Sequence, residues 1–143
     1  MIIEKLVFEE QPDVSSDIFH RQFNLITSND LNSVGKSTYC RLIFYALGYT
    51  IPSTEGISFD KVDTTAYIEN NGQKFVIRRS FKFLSVEPED CSWSKTYSLP
   101  DEHISFVSFI FGVDNLRIAS NLLGLMYIDQ EKGWTLLNRG KVI

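Results

Sequence analysis

Residues Gly35-Lys36-Ser37-Thr38 bring together, in order, the groups that hold a phosphate chain. A glycine lets backbone approach an anion closely, a lysine supplies a point charge, and neighbouring hydroxyls reach a divalent cation or a phosphate oxygen. Such a turn works when consecutive backbone N–H groups curl around phosphate oxygens at a helix start, where the helix dipole also favours negative charge. On this reading the backbone of Ser33, Val34, Gly35, Lys36, Ser37 and Thr38 forms the cradle. Lys36 serves the β- and γ-phosphates, Ser37 joins a Mg²⁺ shell, and Thr38 adds a contact to the α-phosphate. The pattern GxxxxGK[ST] also calls for a leading glycine, and Asp30 stands in its place. Asp tolerates left-handed backbone better than most residues, so the departure is mild in conformation. Its charge beside phosphate is a cost unless it points away or is neutralised.

A phosphate turn needs a strand before it and a helix after it. The apolar run "FNLIT" reads as a buried strand. From Ser37 the pattern turns helical, with Cys40, Ile43, Phe44 and Leu47 on one inward face and Gly48 as the stop. Upstream, "IIEKLVFEE" predicts a strand carrying Ile3, Leu6 and Phe8, and "QPDVSSD" predicts a loop. After a loop over "YTIPSTEGISFD", Asn71-Gly72 between two β-branched, alternating segments predicts a hairpin, with Val76 facing opposite to Phe75 and Ile77. A third strand is placed around Trp93 to Leu99. A short helix in "DEHISFVSFIFGV" should end at Gly112, and another in "DNLRIASNLLG" takes Asp114 as its N-cap. Arg78 and Arg79 alternate faces, so one can reach a phosphate, a DNA backbone or solvent; a surface position is expected for them.

Composition bounds the rest. The 143 residues suffice for one domain with a real core, and 43% hydrophobic with 22% charged residues is a globular balance. Aromatic content of 13%, with eleven Phe, suits a sheet-rich core or a surface covered by another domain. A formal charge of −4 argues against a surface given over to nucleic acid. No stretch suggests a membrane span or an export leader, so a cytoplasmic protein with no membrane partner is expected. Cys40 and Cys91 have no metal-ligand spacing, and Cys40 is read as a small core residue. His20 and His103 are isolated and read as structural rather than as metal ligands.

With these residues in hand, "FNLITSNDLNSVGKST" resembles the opening of ABC-type ATPase heads of the SMC, RecF and RecN group. Asn32 falls on the Asn those heads carry after the first loop glycine. "YIDQEKGW" looks like their Q-loop region, where Gln130 would meet Mg²⁺ and the attacking water. The resemblance implies an α/β fold of α+β character: one half of a P-loop NTPase head, with a central sheet, the P-loop helix and an antiparallel β-hairpin subdomain. It also implies ATP and Mg²⁺ as cofactors, a homodimer of heads closing on two ATP molecules, and work in DNA repair, DNA maintenance or anti-phage defence. Residues 1–143 would then be a single lobe running from Walker A to Q-loop.

Other readings stay open. "LGLMYIDQ" also fits a Walker B strand, with Asp129 holding Mg²⁺ through water, which would make the chain a compact NTPase; Gly124 and the "EKGW" that follows favour the Q-loop. A plain core strand ending in a polar turn is the simplest alternative. There is no LSGG-like signature, and on the Q-loop reading no Walker B strand, catalytic Glu or switch His. In this group those parts lie in a second lobe, so the chain is expected to be a piece of a longer head with weak or no turnover alone. A degenerate, non-catalytic interaction module is the runner-up. A small-molecule kinase ranks third, since no Arg-rich lid is visible. Lys132, Trp134, Arg139 and Lys141 could meet a partner lobe or DNA, and scattered surface charge explains them equally well.

Overall fold

The computed structural model describes residues 1–10, 13–22, 24–25, 36–51, 58–115, 117–119 and 121. Its frame is a six-stranded antiparallel sheet: β1 (Ile2–Glu10), β2 (Asp13–Ile18), β3 (Asp63–Asn70), β4 (Gln73–Ser80), β5 (Phe83–Pro88) and β6 (Lys95–Ser98), in the order β2-β1-β3-β4-β5-β6. Helix α1 (Lys36–Ala46) comes between β2 and β3, and α2 (His103–Phe111) follows β6. The fold is thus mixed α/β. Among the described residues the expected hairpin lies at the centre of a single sheet, because β1 pairs with β3 on one side and β5 with β4 on the other.

Side chains alternate across the strands, and one face builds the core. Leu6 and Phe8 of β1 sit on it with Thr64, Ala66 and Ile68 of β3, Phe75, Ile77 and Arg79 of β4, Leu84 and Val86 of β5 and Tyr97 of β6, all buried. Tyr45, Ala46 and Leu47 close over this face from α1 and its C-terminal turn, as do Phe106, Val107 and Ile110 from α2. Val76 points the other way and is only 9% exposed, but Lys74 and Arg78 on the same face are exposed, so β4 is covered on both sides at Val76 and not along its length.

Asn71 (φ 51) and Gly72 (φ 79) both lie in the left-handed region, the requirement of a type I′ turn, whose twist matches the strands it joins. The register follows, with Asn70 opposite Gln73 and Ile68 opposite Phe75. A Cβ at Gly72 would meet nothing within 4 Å, so only the backbone conformation resists substitution. Gly72→Ala should therefore cost about 1 kcal/mol, read as a shift of the denaturant midpoint with an unchanged slope.

Several local expectations are corrected. Residues 13–17, read as loop, belong to strand β2, whose backbone finds partners on β1 from Lys5↔Ile18 to Glu10↔Asp13. Turn-forming side chains do not prevent pairing when a strand edge lies alongside. Asn24 and Leu25, read as buried strand, are exposed and irregular. The Asn24 side chain instead closes a local turn, accepting from the His20 N–H (2.7 Å) and donating to the His20 carbonyl (2.8 Å). The region after Ser80 holds two strands, β5 and β6, rather than one. Residues 117–119 are helical as expected, but the cap is Asn115: its Oδ1 accepts from the N–H groups of Arg117 (2.9 Å) and Ile118 (3.4 Å). Helix α2 does end at Gly112, at φ 61.

Candidate functional site

Helix α1 is described from Lys36 onward, so Lys36, Ser37 and Thr38 of the GKST sequence lie in its first described turn. No acidic residue lies in its first turn to oppose an anion. Thr38 and Tyr39 are half-buried, and Tyr39 meets Phe8 of β1 edge-on with ring centroids 5.8 Å apart. That contact seats the first turn of α1 on the sheet. Lys36 and Ser37 are helical in backbone; Asp30, Asn32, Ser33, Val34 and Gly35 lie outside the described residues, as do Asp129 and Gln130. The two motifs therefore stand as sequence readings, and the described part of the site is the helix that would carry the phosphate turn.

The expected inward face of α1 holds in part: Leu47 is buried and Ile43 and Phe44 pack half-buried on the core, but Cys40 is exposed, and Arg41 and Tyr45 are buried instead. A tyrosine ring and the methylene stem of an arginine cover far more apolar surface than a thiol, so they take the inward positions.

The C-terminal end of α1 is unusually well fastened. Gly48 at φ 92 opens a Schellman turn: its N–H donates to the Tyr45 carbonyl (2.9 Å) and the Tyr49 N–H reaches the Phe44 carbonyl (3.1 Å). The Phe44 and Tyr49 rings meet edge-on across this turn, 5.5 Å apart. Arg79 of β4 then donates from Nη1 to the carbonyls of Tyr45 and Tyr49 (the latter at 2.8 Å), and from Nε to the Phe81 carbonyl at 3.2 Å. Its guanidinium lies 3.6 Å over the Tyr45 ring. Burial lowers its pKa to about 10, so it keeps its charge at neutral pH. A cation here also answers the negative end of the helix dipole.

His103 of α2 completes the fastening. Its Nε2 lies 3.0 Å from the Leu47 carbonyl, so that nitrogen carries the proton, and its ring packs against Tyr49 and Phe106. Burial, with the nearby Arg79 charge, outweighs that hydrogen bond and lowers the His103 pKa to about 4. The histidine is a structural one, as its isolation in the sequence suggested. Above pH 6.5 the imidazole is neutral folded or unfolded, and its full contribution is present. Below 6.5 only the unfolded chain takes up a proton, until about 4, so stability falls as pH falls through that window. At ~1.4 kcal/mol per pH unit, acidification should remove on the order of 3 kcal/mol, and His103→Gln should flatten the dependence. Denaturant melts between pH 7 and 5.5 measure the slope above the range where the carboxylates of Glu4 and Asp90 protonate in the unfolded chain.

Sequence reading placed Arg79 at the surface and so missed this cluster. The alternation Phe75, Ile77, Arg79 carried the signal, since it puts all three on the core face. Arg78 is exposed as expected and is paired with Glu87. It borders an open hollow of ≈ 500 Å³ on the outer sheet face, with Glu9, Asp63, Thr65, Ser85 and Thr96. Two carboxylates and an arginine already paired make that hollow a poor anion site.

Among the described residues no helix is long and apolar enough to cross a membrane, and no three His, Cys, Asp or Glu side chains converge to hold a metal ion. No protein-family model matches the chain, and no curated protein matches it.

Proposed function

We propose that the chain is the ATP-binding lobe of an SMC/RecF/RecN-like ABC ATPase, a P-loop NTPase head half that works in the cytoplasm. The observation that carries this reading is the sequence Gly-Lys-Ser-Thr, whose Lys36, Ser37 and Thr38 lie in the first described turn of a helix that packs on a sheet and has no acid in that turn. Backbone amides from Ser33 to Thr38 and the Lys36 ammonium would bind the triphosphate, with Asn32 beside them. The donor set suits Mg²⁺: a Ser37 hydroxyl at the helix start and the Gln130 amide oxygen are hard oxygen ligands. When bound, Mg²⁺ would offset the charge of the β- and γ-phosphates. Gln130 would also orient water, while a second lobe completes the site. ATP-dependent closure of two heads, coupled to DNA maintenance or anti-phage defence, is the corresponding role.

A calorimetric titration with Mg·ATP tests this. One saturable site with turnover near background is expected; an absence of binding overturns the reading. Asp30 in place of the leading glycine supports a second reading, a docking module that binds nucleotide without ever hydrolysing it. Restored turnover on adding a lobe with signature and Walker B elements would exclude that module.

A further inference from the structure

We propose that the free edge of β2 is a docking site for an extended, basic segment of another protein, which joins the sheet as a further strand. The sheet ends in two edge strands, β2 and β6, and the fold treats them differently. In an antiparallel pair, residues that do not exchange hydrogen bonds with their neighbour turn their N–H and C=O groups outward. On β6 the Leu99 N–H donates to the Lys82 carbonyl at 2.7 Å, so alternation sends Thr96 and Ser98 outward. Ser98 is already closed. Its N–H donates to the Glu102 carboxylate (2.6 Å), and its carbonyl accepts from the Glu102 N–H (2.8 Å). Thr96 is left as the one open residue between Lys95 and Ser98.

Strand β2 is the reverse case. The Phe19 N–H donates to the Glu4 carbonyl at 2.9 Å, and the unbroken register from Lys5↔Ile18 to Glu10↔Asp13 carries that alternation along the strand. Val14, Ser16 and Ile18 therefore turn both backbone groups away from β1, and no partner meets them among the described residues. Such a row of donors and acceptors is a template for strand addition. Ile18 on this edge is 79% exposed, the most exposed of the large apolar residues described, and an added strand would cover it.

Charge selects the occupant. Strand β2 holds Asp13 and Asp17 and no basic residue, and Glu9 beside it on β1 is exposed. Lys5, opposite Ile18, lies over the Tyr67 ring of β3, away from the edge. Two copies of β2 laid edge to edge would set acid against acid, which disfavours self-pairing. A strand alternating lysine or arginine with β-branched residues is favoured instead. Its cations meet the acidic edge, and its branched side chains extend the pleated surface beside Ile18.

Calorimetry on the whole chain without nucleotide tests this, with a peptide of alternating valine and lysine as the probe. One saturable site is expected. Ser16→Pro should weaken binding about tenfold. Proline removes an outward N–H, and because that N–H does not serve β1 the existing pairing remains. A peptide of equal charge with proline in place of valine should bind only at background. Failure of the wild type to bind overturns the proposal, and so does equal binding of both peptides or by both proteins, which means charge attraction alone. Dimerisation of the free protein in sedimentation, abolished by Ser16→Pro, would give the edge to a second copy and overturn it too. Amide exchange on the wild type decides the matter should the proline variant fail to fold. The valine–lysine peptide should slow exchange at Val14, Ser16 and Ile18 and leave Thr96 unchanged. Slowing at Thr96 instead, or at none of these amides, contradicts docking on β2.

Discussion

Lys36→Ala should weaken ATP binding about a hundredfold, which corresponds to about 3 kcal/mol, while the fold survives. The loss is large because the ammonium is the one full positive charge that the cradle motif supplies. Backbone amides and the helix dipole provide only partial charges, each worth about 1 kcal/mol or less when exposed. The fold should be spared because Lys36 stands at the first described position of α1, while Arg79 fastens the helix at its far end. Calorimetry for affinity and a thermal melt for stability separate the two effects. Lys36→Arg should restore little, since a guanidinium fork does not fill the place of a compact ammonium. Equal binding by wild type and Lys36→Ala would remove the phosphate-turn reading.

Gly48→Ala should be the most damaging small substitution to stability, by about 2–4 kcal/mol. Two costs combine at this position. The φ of 92 is one that residues with a Cβ rarely adopt. A Cβ would also stand 2.8 Å from Cδ2 and 2.9 Å from Nε2 of His103, and 3.1 Å from Cδ1 of Leu84. The imidazole cannot retreat without giving up its bond to Leu47. Gly72 is the natural comparison, since its φ of 79 is similar and its surroundings are open. The difference in midpoint between the two alanine variants therefore isolates the packing cost.

The parts of the fold set by local chemistry were legible in the sequence. Asn71-Gly72 announced its hairpin, Gly48 and Gly112 their helix ends, and Ile3, Leu6 and Phe8 their strand. Features set by distant partners were not. Residues 13–17 look like loop until β1 is seen to offer them an edge. Cys40 fits an inward stripe, and only competition from Arg41 and Tyr45 for the buried positions turns it outward. Arg79 carries the same lesson further. A charged residue beside another arginine suggests solvent, and its burial depends on carbonyls freed by a helix end thirty-odd residues earlier. In the candidate site the order Gly-Lys-Ser-Thr and the helix that carries Lys36, Ser37 and Thr38 were both readable, because they are local. Asn32 and Gln130 lie outside the described residues.

The most direct measurement is to label the protein with ¹⁵N, titrate it with ADP, and follow the amides of Gly35, Lys36, Ser37 and Thr38. Phosphate held at the N-terminus of α1 predicts saturable shifts at these four amides, lost in Lys36→Ala. Saturable shifts confined to other residues, or none at millimolar ADP, would contradict a phosphate-binding turn at this helix.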